Sequence, residues 1–73
     1  MRVGVIGAGS WGTAVAGLAA ASADTVLWAR RSPLAEAIAA THENPDYLPG
    51  HRLPTTLSVT ADLQDVAASD VVI

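Results

Sequence analysis

The chain has no cysteine. That excludes a disulfide framework, a thiolate metal site and a thiol nucleophile. Charge is sparse, with 15% of residues charged and a formal net charge of -3. No basic tract occurs, so the electrostatic footprint of a nucleic-acid binder is missing. Long hydrophobic runs are absent too. The most apolar stretch, residues 14–23, is too short to span a bilayer, and no membrane span is expected. The first strand is expected to begin at Arg2 or Val3, which leaves no room for a secretory leader. A cytoplasmic protein is the expectation.

What is present is globular in character: 51% of the residues are hydrophobic. A length of 73 residues suffices for one and a half to two βαβ units and falls short of a full doubly wound sheet. The final run, Ser69-Asp70-Val71-Val72-Ile73, reads as a strand just starting. Residues 1–73 are therefore expected to form the N-terminal part of a domain in a longer protein.

Val3-Gly4-Val5-Ile6 is a short β-branched run ending at a glycine turn, the pattern of a strand buried on both faces in a parallel sheet. A helix is predicted from Ser10 or Trp11 to about Ser22, with Ala14, Leu18 and Ala21 as its apolar stripe and Val15 and Ala19 alongside. Thr25 to Ala29 is predicted as the second strand. Ser32-Pro33 opens a second helix, with serine as N-cap and proline at the first helical position. Leu34, Ala35, Ile38 and Ala39 make its apolar face. Thr41 to Pro54 holds three prolines and reads as a stiff loop, pinned to the domain by Tyr47 and Leu48, with Asn44-Pro45-Asp46 suited to a turn. Leu57 to Val59 is a weak third strand. A short helix over Thr60 to Ala68 follows, with Thr60 as N-cap and Asp62 and Asp65 near its positive end. Val71 to Ile73 begins a fourth strand. Strands alternating with helices imply right-handed crossovers and a parallel sheet, an α/β class of the Rossmann type.

Gly7-Ala8-Gly9-Ser10-Trp11-Gly12 fits G-x-G-x-x-G. The pattern alone is weak, but here it follows a predicted strand and opens a predicted helix, as dinucleotide binding requires. Gly7 permits the tight turn, Gly9 lets a pyrophosphate approach the backbone, and Gly12 lets the helix pack on the strand. Ser10 and Trp11 would present N–H groups to the pyrophosphate, with the Ser10 hydroxyl as a further donor. Trp11 is equally suited to capping the helix start or walling the cofactor.

About twenty residues beyond the glycines, NAD-binding folds place an acid for the ribose 2′-hydroxyl. Here Ala29-Arg30-Arg31 occupies that position, and Asp24 lies at the wrong end of the strand. A guanidinium fork matches a phosphate and can stack on adenine. Arg30 and Arg31 therefore point to the 2′-phosphate of NADPH (NADP), with NADH as the lesser candidate. His42 and His51 share a polar loop without metal-ligand spacing, so no metal is expected. Trp28 is read as core, and Thr13 as ordinary helix filling that bonds back to the turn.

Three segments together carry a resemblance: Val5 to Ala14, Leu27 to Arg30, and His42-Glu43-Asn44-Pro45-Asp46-Tyr47-Leu48-Pro49-Gly50. The chain resembles the bacterial NAD(P)-dependent glycerol-3-phosphate dehydrogenases over most of its length. The resemblance implies NADPH contacts at Ser10, Trp11, Arg30 and Arg31, and a weaker one at Tyr47. It implies reduction of dihydroxyacetone phosphate to sn-glycerol 3-phosphate, feeding phospholipid synthesis, and leaves room for a homodimer at full length. Catalytic lysines and a helical substrate domain belong to the later part of such enzymes. This chain contains no lysine, so no catalytic residue is assigned within it. Two other readings stay open: a neighbouring reductase of the 6-phosphogluconate or ketopantoate type, and a non-catalytic NADPH-sensing module.

Overall fold

The computed structural model describes residues 1–73. Along the chain run β1 (Arg2–Ile6), α1 (Ser10–Ala20), β2 (Asp24–Trp28), α2 (Ser32–Thr41), β3 (Ser58–Thr60), α3 (Leu63–Ala67) and β4 (Val71–Val72). The strands form one sheet in the order β3-β2-β1-β4, and all its pairings are parallel. The register sets Arg2 beside Asp24 and Ile6 beside Trp28. The chain steps outward from β1 to β3, then returns to pair β4 with the other side of β1. Since parallel crossovers are right-handed, that reversal sends α3 to the face opposite α1 and α2.

The two faces are built differently. Val3, Val5 and Leu27 join Ala16, Ala20, Leu34, Ala35 and Ile38 in one core beneath α1 and α2. On the other face lie Gly4 and its register partner Val26. A Cβ at Gly4 would sit 2.5 Å from Val66 Cγ1 and 2.7 Å from Ser69 Oγ. The bare backbone of β1 is thus what lets the short α3 approach the sheet. No helix is long and apolar enough to cross a membrane.

The face that α1 buries is only partly the predicted one: Val15 and Ala19 pack against the core, but the stripe named beside them does not lead it. Gly12, Thr13, Ala16 and Ala20 are buried, whereas Leu18 is 77% exposed and Ala14 and Ala21 are exposed. In a helix this rich in alanine nearly every direction is apolar, so periodicity does not choose. Close approach to the sheet chooses instead, and it selects the row of smallest residues at four-residue spacing. Thr13 is also more than filling, since its hydroxyl accepts a buried hydrogen bond.

Other corrections concern ends and caps. Arg31, not Ser32, is the N-cap of α2, Pro33 falls one position further in, and no side chain caps the helix. Leu34, Ala35 and Ile38 are buried there as predicted, while Ala39 is exposed. His42 closes α2 in the left-handed region, at φ 56°, with its N–H returned to the Ile38 carbonyl. Thr60 belongs to β3, and Asp62 caps α3 by accepting from the Gln64 N–H at 3.0 Å. Trp28 is only half-buried, and its indole N–H donates to the Ala61 carbonyl at 3.0 Å.

Core substitutions test this packing. In the full-length protein, Leu27→Ala, at a fully buried site in β2, should lower unfolding stability by about 2–5 kcal/mol. Ala16→Leu should cost about 1–3 kcal/mol through overpacking. Urea denaturation checks both, and an unchanged midpoint for Ala16→Leu would contradict the assigned face of α1.

Candidate functional site

The site begins where β1 ends. Gly7 adopts φ 103°, a conformation that side chains resist, and its N–H is held by the Trp28 carbonyl at 3.1 Å. Gly9 is the N-cap of α1 and supplies no side-chain cap. The N–H groups of the first helical turn therefore have no partner within the helix. A Cβ on Gly9 would meet nothing within 4 Å and would project into open space. Gly12 differs: its Cβ would lie 2.0 Å from the Gly7 carbonyl oxygen. The three glycines thus serve three needs: a positive φ, an open cradle, and contact between helix and turn.

Beside this turn, the end of β2 and the start of α2 contribute the opposite wall. Gly7, Ala8, Gly9, Arg30, Arg31, Leu34 and Tyr47 line one cleft. Five of the eight residues named from the sequence meet there: Gly7, Gly9, Arg30, Arg31 and Tyr47. Gly12 is buried behind the turn. Trp11 stands 71% exposed, outside the cleft's lining. The Ser10 hydroxyl donates to the Tyr47 carbonyl at 2.6 Å, so it serves as a tie across the cleft's rim.

Asn44 is the residue that sequence reasoning underrated. Tyr47 and Leu48 were expected to pin the loop, yet Tyr47 is 48% exposed and Asn44 is fully buried. The Asn44 amide donates to the Ala8 carbonyl and to Thr13 Oγ1, each at 2.8 Å. Its side-chain carbonyl accepts from the N–H groups of Asp46 and Tyr47, both at 3.2 Å. One side chain thus fastens the glycine turn, the first turn of α1 and the rim loop together. Leu53, also buried, adds an apolar anchor, its Cδ2 lying 3.3 Å from where a Cβ on Gly17 would be. An Asn-Pro pair in sequence signals only a turn. The partners of Asn44 lie 31 and 36 positions away, and no local pattern reveals them.

The two arginines are not equivalent. Arg31 pairs through Nη2 with Asp46 Oδ2, whereas Arg30 makes no ion pair. The hydrogen bond that Arg31 donates to Asp46, and then the Asp46 charge, raise the Arg31 pKa above the usual arginine value. The cleft therefore offers unpaired backbone N–H groups at one end and a guanidinium pair at the other. That combination suits a ligand with two separated anionic groups.

A parallel β3-β2-β1-β4 sheet, covered on both faces, with a glycine turn between its first strand and helix, defines a Rossmann-type dinucleotide-binding fold. A family model described as NAD-dependent glycerol-3-phosphate dehydrogenase N-terminus matches residues 2–73. The chain belongs to that family. It is 53% identical over 68 residues to an NAD(P)+ glycerol-3-phosphate dehydrogenase of Xanthomonas campestris, covering 92% of this chain and 20% of that protein. The likeness to the enzyme of the same name from Thermobifida fusca is 51% over 69 residues, with the same coverage of 92% and 20%. Among solved structures, the glycerol-3-phosphate dehydrogenase of Saccharomyces cerevisiae superposes with a TM-score of 0.87 at 31% identity, over 99% of this chain and 25% of that one. That of Coxiella burnetii gives 0.81 at 35%, over 93% and 21%. The chain spans about a fifth of the length of the curated relatives it matches.

Two substitutions probe the scaffold. Asn44→Ala leaves the Ala8 carbonyl and the Thr13 hydroxyl without their buried partner and should cost about 1–3 kcal/mol in a denaturation experiment. Gly12→Ala must push α1 off the turn, so nucleotide affinity should fall together with thermal stability. Retained affinity in Gly12→Ala would show that the turn tolerates displacement.

Proposed function

We propose that the protein carrying this chain is an NAD(P)H-dependent oxidoreductase that reduces dihydroxyacetone phosphate to sn-glycerol 3-phosphate, a step serving phospholipid synthesis, in the cytoplasm. In this proposal the chain supplies the coenzyme site, with NADPH as the principal ligand and NADH as an alternative. The observation that carries it is the meeting of an uncapped glycine turn and a guanidinium pair in one cleft, in a chain of this family.

The proposed roles follow from the chemistry of each group. The backbone N–H groups around Gly9, with the positive end of the α1 dipole, hold the pyrophosphate. Gly7 and Gly12 set the shape of that cradle. Arg30 and Arg31 hold the ribose 2′-phosphate through charge-assisted, planar hydrogen bonding. Tyr47 closes the rim of the cleft, and Trp11 and Ser10 offer N–H groups at the helix start. A bound nicotinamide coenzyme supplies hydride, and the protein's share here is to bind and orient it. Substrate binding and proton transfer to the carbonyl oxygen are assigned to a helical domain later in the protein. This chain has no lysine to contribute.

The test uses the full-length protein. Oxidation of NADPH should depend on dihydroxyacetone phosphate and yield glycerol 3-phosphate. Coenzyme binding without turnover would instead fit a sensing module. Arg30→Asp combined with Arg31→Ala should weaken NADPH by about ten- to a hundredfold, the loss expected of charged hydrogen bonds, and change NADH far less. Equal losses for the two coenzymes would remove the 2′-phosphate role.

A further inference from the structure

The end of β2 lacks the carboxylate that would receive a ribose hydroxyl, but the folded chain brings one to the same rim by another route. The loop after α2 sets Asp46 against Arg31, one residue before Tyr47, which lines the cleft. Its position is fixed by the backbone. The Asp46 N–H is held by the buried Asn44 side chain, the Leu48 N–H returns to the Asn44 carbonyl at 3.0 Å, and Ser10 holds the Tyr47 carbonyl. The backbone that carries Asp46 is therefore tied to the same scaffold as the glycine turn.

Its charge acts on the two coenzymes in opposite senses. A phosphorylated ribose that reaches Arg31 shares its guanidinium with Asp46, or displaces Asp46 from it, and in either case lies close to a like charge. An unphosphorylated ribose has no need of Arg31, and its hydroxyl can donate to a carboxylate. Arg30, free of any ion pair, is left as the guanidinium that meets a phosphate unopposed. The Arg31 and Asp46 side chains are 58% and 45% exposed, so the pair is screened by solvent and opens readily. Its effect is to moderate phosphate preference, not to abolish it.

We propose that Asp46 is a specificity-determining residue, a built-in competitor for Arg31 that lowers the preference of the cleft for a 2′-phosphorylated ribose. This rests on the reading of the cleft as the coenzyme's adenosine site.

The test measures dissociation constants of the full-length protein for adenosine 2′,5′-bisphosphate and adenosine 5′-monophosphate, and kcat/KM with NADPH and NADH. Asp46→Asn should raise the preference for the phosphorylated member of each pair by about two- to fivefold, the scale of an exposed ion pair. The gain should shrink as salt is added. Asp46→Glu, which keeps the charge, should stay near the parent ratio. An unchanged ratio in Asp46→Asn, or a parallel change for both members, would overturn the proposal. Arg30→Asp with Arg31→Ala separates the two levels of failure. If that variant loses phosphate preference while Asp46→Asn changes nothing, only the role of Asp46 falls. If neither responds, the assignment of the cleft falls with it.

Discussion

An asparagine side chain has two N–H donors and one carbonyl acceptor, and in Asn44 all are used inside the protein. Because the residue is fully buried, each of those bonds would be costly to leave unmade. The glycine turn, the start of α1 and the rim loop consequently hold one relative position. The placing of Asp46 and Tyr47 follows from it, and so does the facing of the loop toward the arginines at the end of β2. The cleft is less a gap between elements than a space kept open by one amide.

That scaffold shapes an electrostatic gradient. At one end the helix start offers backbone dipoles without a fixed counter-charge, since no acidic residue stands in the first turn of α1. At the other end two guanidinium groups are opposed by one carboxylate. In the proposed function, discrimination between phosphorylated and unphosphorylated ribose would depend on a balance of charges contributed by two segments, the end of β2 and the loop after α2. Neither segment by itself describes the site.

The glycine turn was legible from residue order because each of its constraints is local: a positive φ at Gly7, no side chain at Gly9, a short reach from Gly12 back to Gly7. The arginines were legible because their distance from the turn is set by one βα unit. The buried face of α1 was not, because alanine is apolar in every direction and only contact with the sheet distinguishes Ala16 from Ala14. Helix starts were misplaced where several cap-forming residues lie close together, as Thr60 and Asp62 do. Asn44 looked like a turn residue because its chemistry is the same in a solvated turn and in a buried knot.

Residue order alone thus settled the α/β class, the strand-turn-helix cradle and the presence of cations where an acid is more usual, since these follow from backbone conformation and short-range spacing. Folding decided which row of α1 meets the sheet, that Asn44 is the hub, and that Asp46 faces Arg31. Those outcomes depend on pairs of residues far apart in the chain, which only the closing of the β-α-β crossovers brings within hydrogen-bonding distance.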